Sequence, residues 1–153
     1  MTCTLTARRD ADTAPIREKI YRTDYWDVAH AYNTALPGWL VLVARRHLAA
    51  VDELTEAEAL ELGVLIRRVS LALKAVTGCT KTYIMQFAEA PQHSHVHFHV
   101  VPRMADQPED HKGPYIFKYL GVDEAERVSA AEMDRIAREV RRCLAEMRTG
   151  TPS

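Results

Sequence analysis

Two stretches of the chain repeat apolar residues at the spacing of an amphipathic helix. The first follows a capping-box pattern from Thr55 to Glu58, whose side chains satisfy backbone amides left free at a helix start. The apolar positions after it stop at Gly78, and they are Leu60, Val64, Leu65, Val69, Ala72, Leu73 and Val76. A second capping box, from Ser129 to Glu132, opens a final helix whose apolar face comprises Met133, Ile136, Val140, Leu144 and Met147. The pattern therefore predicts two long helices.

Short apolar and β-branched runs of strand length flank the first of these helices. Residues 39–43, after a Pro-Gly turn signal, and residues 82–87 and 95–101 predict strands, and residues 17–22 predict an exposed strand. Residues 104–127 contain two prolines and predict a loop with at most one short element. This order predicts an α+β fold, an antiparallel β-meander sheet with a long helix on one face and a C-terminal helix.

The boundaries of these patterns divide the chain into three parts of one domain. We expect residues 1–15 to form a loose N-terminal arm and residues 16–103 to form the main body of the domain. Residues 104–153 are expected to add a loop and the C-terminal helix to the same domain. A chain of 153 residues that is 47% hydrophobic suits one domain with one core.

Charge and cysteine content narrow the partners and the compartment. Twenty Lys and Arg against 21 Asp and Glu give a net charge of -1, without the basic excess of a nucleic-acid-binding surface. Cys3, Cys79 and Cys143 form no CxxC pair, which favours a reducing compartment. No apolar run approaches the roughly 20 residues of a membrane span, and residues 1–12 do not resemble a signal peptide. We therefore expect a cytoplasmic protein without a nucleic-acid or membrane partner.

Four of the seven histidines occur at alternate positions in one stretch: His93, His95, His97 and His99. On a strand, alternate residues share a face at a spacing of about 6.5–7 Å, so this stretch displays a row of imidazoles. The residues between the last three and beyond them point to the core: Val96, Phe98 and Val100. Neighbouring imidazoles disfavour simultaneous protonation, so at least one is expected to be neutral and nucleophilic at neutral pH.

Two other interpretations of the histidines stay open at this point. A lone histidine is more often structural than catalytic, and this is the interpretation for His30, His47 and His111. The row could also bind a metal, because His-x-His on a strand presents suitable ligands, and Glu89 or Asp106 would supply a carboxylate.

The stretch His95-Val-His97-Phe-His99-Val-Val, followed by Pro102-Arg103, resembles the His-φ-His-φ-His-φ-φ signature of the histidine-triad (HIT) family. Residues 36–47 and the helix start at 54–55 are similar to that family's strand–turn–helix segment. Met85-Gln86 fits the dinucleoside-polyphosphate hydrolase branch. The resemblance covers residues 16–103, and it implies an α+β meander and a homodimer whose two sheets join.

The resemblance also implies roles for individual residues. His97 would attack the α-phosphorus of a nucleotide, and water would release a nucleoside monophosphate from the nucleotidyl-histidine. His99 would contact the phosphate and assist the leaving group, while His95 would orient His97 through its backbone carbonyl. Gln86 would contact phosphate, and aromatic side chains of residues 21–32 would pack the base. No metal or other cofactor is implied.

The chain departs from the family pattern at several positions. Gln92 and His93 stand where the family has polar groups that hold the bridging oxygen, and we expect them to take that task. The ribose-binding position aligns with Ala31, so Asn33 is the expected substitute. Trp39 replaces a histidine that often follows the Pro-Gly turn. The N-terminal CxxC of some relatives is missing, so we expect no structural zinc.

These observations favour a nucleotide hydrolase or nucleotidyl transferase with a small-molecule nucleotide as substrate. Dinucleoside polyphosphates and nucleoside phosphoramidates are both candidates. The alternatives are a nucleotide-binding or sensing module with little turnover, and a metal-dependent enzyme that uses the histidine row as ligands.

Overall fold

A computed structural model describes residues 4–91 and 94–149 of the chain. The strands are β1 (Tyr21–Arg22), β2 (Trp26–His30), β3 (Leu40–Ala44), β4 (Lys81–Met85) and β5 (His97–Arg103). The helices are α1 (Thr4–Asp10), α2 (Glu56–Thr77) and α3 (Ala130–Thr149). Short 3-10 segments are Ile16–Glu18, Val51–Glu53, Glu109–His111, Gly113–Tyr119 and Glu124–Glu126.

The five strands form one antiparallel sheet in the order β1-β2-β3-β5-β4. The expected α+β class and antiparallel sheet are confirmed. The chain follows a meander except at one crossover, where α2 carries it past β3 to the edge strand β4. β5 then returns between β3 and β4, with Val41 opposite His99 on one side and Met85 opposite His99 on the other. The histidine strand is therefore held by neighbours on both sides.

Helices α2 and α3 cover one face of the sheet and bury the main core. Both bonds of the predicted capping box are present, since the Glu58 amide donates to Thr55 Oγ1 at 3.1 Å and the Thr55 amide donates to Glu58 Oε1 at 2.8 Å. The predicted apolar face of α2 is wrong in its first turns, because Leu60 and Val64 are 74% and 53% exposed. The helix is turned so that Leu62 joins the core instead. Within residues 4–91 and 94–149, no helix is long and apolar enough to cross a bilayer.

A second apolar cluster covers part of the opposite face of the sheet. Its buried members are Ala31, Leu36, Trp39, Val101 and Ile116. The 3-10 segment Gly113–Tyr119 lies against the residues after β2, because the Ala35 amide donates to the Tyr119 carbonyl at 2.8 Å and the Gly121 amide donates to the Asn33 carbonyl at 2.9 Å. Residues 104–127 hold three such 3-10 segments, where the sequence predicted at most one short element.

Residues 4–10 form a helix within the span 1–15 for which a loose arm was expected, and residues 1–3 lie outside the described residues. Helix α1 lies against the domain, and Arg9 is only 3% exposed. Its Nε donates to the Glu18 carbonyl at 2.7 Å, and Lys19 Nζ donates to the Arg9 carbonyl at 3.1 Å. These polar contacts hold helix α1 against the domain, and the charged sequence of the segment did not indicate them.

The exposed strand predicted for residues 17–22 is wrong for most of its length. Its first residues belong to a 3-10 turn, where the Arg17 amide and guanidinium both donate to the Asp134 carboxylate of α3. Only β1 pairs with the sheet, and β2 is buried along its whole length. A contact between distant parts of the chain thus overrides the local strand pattern.

Candidate active site

A cavity of about 340 Å³ opens on the sheet face opposite α2 and α3. The histidine strand forms its floor, with His95, His97 and His99 all in the lining. Residues 87–90, which follow β4, and residues 31–33, which follow β2, form opposing parts of its wall. The predicted alternation explains this placement, because the intervening Val96 and Val100 are fully buried in the main core.

The His97 ring is oriented by the backbone two residues before it. Its Nδ1 lies 2.8 Å from the His95 carbonyl oxygen, which is the contact that the resemblance implied. A carbonyl oxygen only accepts, so Nδ1 carries the proton and donates. In neutral His97 the lone pair is therefore on Nε2, which makes this nitrogen the nucleophilic one.

His95 is itself fixed by two contacts. Its Nε2 donates to the Ala44 carbonyl, so its Nδ1 accepts from His47 Nδ1 at 3.0 Å when both rings are neutral. Burial lowers the pKa of His95, and the Ala44 carbonyl partly opposes that shift, while charges on His47, His97 and Arg9 lower the pKa further. Sequence reasoning treated His47 as structural, and no local signal marked its contact with the triad.

His99 lies deeper than the other two histidines and is 7% exposed. Trp39 Nε1 donates to His99 Nδ1 at 3.0 Å, and the Trp39 and Phe117 rings each meet the imidazole edge to face at 5.6 Å between centroids. Burial and the neighbouring charge of His97 lower the pKa of His99 to about 4. His99 is therefore neutral at physiological pH.

Of the other predicted site residues, Asn33 lines the cavity and Gln86 does not. Met85 packs in the apolar cluster on the cavity side, and side chains alternate along an extended chain, so Gln86 is directed to the other side. Gln92 and His93 lie outside the described residues.

The aromatic wall of the cavity differs from the one expected from residues 21–32. Trp26 is fully buried in the main core, and Tyr32 is the only Tyr or Trp of residues 21–32 that lines the cavity, with 53% of its surface exposed. Phe87 and Phe117 form the other aromatic wall, with ring centroids 5.6 Å apart. The sequence predicted neither phenylalanine as a cavity residue, because Phe87 belongs to a predicted strand and Phe117 to a predicted loop.

Charged groups reach the cavity from two further segments. Arg9 of α1 lines it beside His95, and its charge contributes to the lowered pKa of that histidine. Glu89 lines it as an exposed carboxylate, whereas Asp106 is outside the lining. In the described part of the chain, no group of three or more His, Cys, Asp or Glu side chains is arranged to hold a metal ion. The absence of a metal remains a prediction.

His30 also borders the cavity, with the structural contacts expected of a lone histidine. The Gly38 amide donates to His30 Nε2 at 3.0 Å, and His30 Nδ1 donates to the Ala31 carbonyl at 2.8 Å. Burial lowers the pKa of His30 to about 4. The neutral ring thereby closes the turn that leads into β3.

Comparisons with known proteins agree with this geometry. A histidine triad protein of Bradyrhizobium japonicum is 25% identical, with a TM-score of 0.69 over 94% of this chain and 99% of its own. A histidine triad (HIT) protein of Sinorhizobium meliloti is also 25% identical, with a TM-score of 0.64 over 80% of this chain and 85% of its own. Diadenosine triphosphate hydrolase of Plasmodium falciparum shares the fold at 17% identity, with a TM-score of 0.64 over 85% of this chain and 78% of its own.

The search of curated proteins gives no match. The model of the HIT domain, in contrast, matches residues 15–106, which contain all five strands and α2. On that match, and with the three histidines placed on one cavity floor, this chain belongs to the histidine-triad family.

Proposed function

We propose that this protein hydrolyses a nucleotide at its α-phosphate through a covalent nucleotidyl-histidine on His97. The observation that carries the proposal is the 2.8 Å contact between His97 Nδ1 and the His95 carbonyl oxygen. It assigns the free lone pair to Nε2 of a ring that lines the cavity. The hydrogen bond at Nδ1 restrains the His97 ring, so little rotational freedom is lost when Nε2 attacks.

The proposed reaction has two displacements. His97 Nε2 gives its lone pair to the α-phosphorus, a P–N bond forms, and the bond from phosphorus to the leaving group breaks with its electron pair. Water then attacks the same phosphorus, the P–N bond breaks, and the lone pair returns to Nε2. The proton lost by the water goes to solvent, and a nucleoside monophosphate is released.

We propose the substrate contacts from the groups that line the cavity. We assign the phosphates to Arg9 and to the Nε2–H of His99, because both are buried cavity groups that donate hydrogen bonds. Arg9 takes the phosphate role first expected of Gln86. Asn33 is the proposed ribose contact, and the base is proposed to pack between the aromatic walls described above. The bridging-oxygen role of Gln92 and His93 remains a proposal on sequence alone.

The test is a mass-spectrometric assay with adenosine and guanosine polyphosphates and phosphoramidates. The wild type should release monophosphate and show a transient nucleotidyl adduct on the peptide that contains His97. His97→Ala should abolish both while keeping nucleotide affinity. His111→Ala removes an imidazole outside the cavity lining and should behave as the wild type. Full activity of a folded His97→Ala protein contradicts the covalent mechanism, and tight binding without release by the wild type favours a sensing module.

We also propose a homodimer that joins two sheets at β4. This strand is at the edge of the sheet, and its Ile84 is 40% exposed. An exposed edge with apolar side chains pairs readily with a second copy. Light scattering at micromolar concentration should give a dimer for the wild type and a monomer for Ile84→Arg, while Val51→Arg changes an exposed valine elsewhere and should stay dimeric. A wild-type monomer contradicts the proposal.

The cytoplasm is the proposed compartment. Cys79 and Cys143 are free thiols, and Cys79 is buried in the main core, 2% exposed. Free thiols persist in reducing compartments. Fractionation of cells that express the full chain tests this assignment, and recovery outside the cytoplasm would overturn it.

A further inference from the structure

Trp39 closes the side of His99 that faces away from the substrate cavity. The indole is fully buried, and its Nε1–H points at His99 Nδ1 over 3.0 Å. Phe117 meets both rings edge to face, at 5.6 Å from His99 and 5.7 Å from Trp39. The contact joins two residues that are 60 positions apart, because Trp39 directly precedes β3 and His99 lies within β5.

The chemistry of the indole restricts the protonation of His99. An indole N–H only donates, so His99 Nδ1 must be the acceptor. The proton of neutral His99 is then on Nε2, the nitrogen left to face a substrate. Protonation at Nδ1 would set two N–H groups against each other in a buried site and lose the hydrogen bond.

The charged and titratable groups around His99 do not compensate for that loss. His97 is its neighbour on β5, with ring centroids 4.9 Å apart, and a positive charge there disfavours a second one. Arg9 from α1 adds positive charge to the same cavity, and His30 at the end of β2 is neutral. Glu89 is the carboxylate of the lining, and it is exposed to water.

We propose that Trp39 fixes His99 as a neutral Nε2–H donor, and that the site therefore favours leaving groups that depart as anions. The favoured substrates are phosphoric anhydrides, and nucleoside phosphoramidates of simple amines are cleaved slowly. Trp39 is a positioning residue in this scheme, because it acts through His99. The inference rests on the proposed function and adds the class of leaving group to it.

The bond changes explain the selectivity. When a phosphoric anhydride is cleaved, the bridging oxygen takes the electron pair of the P–O bond and leaves as a phosphate anion, which needs only a hydrogen bond from His99. When a phosphoramidate is cleaved, the nitrogen that takes the electron pair needs a proton to leave as an amine. A neutral imidazole N–H is far too weak an acid to supply it.

The other described imidazoles of the lining hold their protons on backbone carbonyls. His97 donates to the carbonyl of His95, His95 to that of Ala44, and His30 to that of Ala31. None of these three N–H groups is directed to a leaving group while its bond persists. The preference for anionic leaving groups is thus a property of the whole set of tautomers.

The first arm of the test needs no substrate and no variant. Long-range ¹H–¹⁵N spectra of the ¹⁵N-histidine protein report which nitrogen of each ring carries hydrogen. We expect His99 to show the Nε2–H tautomer, unchanged from pH 8 to pH 5. Trp39→Phe removes the indole donor and should release His99 into a mixture of tautomers. A wild-type His99 with hydrogen on Nδ1 overturns the proposal, whatever the enzyme cleaves.

The second arm compares two substrates with the same nucleotide, diadenosine triphosphate and adenosine 5′-phosphoramidate. A well-placed general acid contributes at least about 100-fold, so the wild type should prefer the anhydride by about 100-fold or more in kcat/KM. Trp39→His places a group that both donates and accepts beside His99, and it should reduce the preference about 10-fold or more, with amidate cleavage rising as the pH falls below 7. Equal rates on both substrates, or an unchanged preference and pH profile in folded Trp39→His, overturn the inference. Cleavage of neither substrate by the wild type overturns the proposed function itself, and the leaving-group preference with it.

Discussion

The buried ring of His30 predicts a loss of stability in mild acid. His30 is 5% exposed and neutral, with Gly38 as donor to Nε2 and Ala31 as acceptor from Nδ1. His30→Gln should keep an oxygen near the Nε2 position for the Gly38 amide, while it removes the titrating ring and the bond to Ala31. At pH 8 we expect this variant to lose about 1 kcal/mol, the net value of one intramolecular hydrogen bond.

The pH dependence follows from the pKa of about 4 in the folded protein. An unfolded histidine titrates near 6.5, so between these values the unfolded chain binds a proton that the native state does not. Stability therefore falls as the pH drops below about 6.5, and the fall is complete near pH 4. At pH 5 the contribution of His30 is about 2 kcal/mol less than at pH 8. His99, with a pKa also lowered to about 4, adds a term of the same sign.

Urea unfolding at pH 8 and pH 5, followed by tryptophan fluorescence, measures these terms. Carboxylates and surface groups contribute equally to both proteins, so the difference between wild type and His30→Gln isolates the one ring. The wild type should lose about 2 kcal/mol more than the variant between the two pH values. His111→Gln controls for the removal of an imidazole from a partly exposed position. Equal losses in wild type and His30→Gln would refute the neutral, buried assignment.

Two further predictions use matched pairs of residues. Gly38 has φ +91°, and a Cβ there would approach Thr77 Cγ2 to 3.0 Å, so Gly38→Ala should lower the free energy of unfolding by about 1–3 kcal/mol. Gly63 lies in open space within α2, so Gly63→Ala should raise the free energy of unfolding by about 0.5–1 kcal/mol. Urea titrations that rank the two variants the other way would contradict this account. Arg9→Met should weaken AMP binding, measured by calorimetry, about 10-fold or more, because a buried cation of the cavity is lost. Arg8→Met changes a half-exposed arginine on the same helix and should leave AMP binding unchanged. Equal affinities of the two variants would exclude Arg9 from the proposed phosphate site.

The local patterns of the sequence were sufficient for the two long helices and for the face of β5 that carries the histidines. A helix period and a capping box depend on neighbours within a few residues, so α2 and α3 and their starts follow from the sequence. The alternation of a strand likewise places His97 and His99 on one side and Val100 on the other. The same logic failed where burial depends on what packs opposite, as at Leu60, which carries the helix period and is still solvent-exposed.

The sequence by itself determined the fold class, the family signature and the face of the strand on which His97 lies, because each depends on backbone geometry over two to about twenty residues. The tertiary structure decided which groups surround His97. Arg9 arrives from a helix where the charged sequence predicted a loose arm, Phe117 from a segment read as loop, and Trp39 meets His99 across 60 residues. Such contacts depend on how distant segments pack together, and they set the tautomer and the lowered pKa of His99.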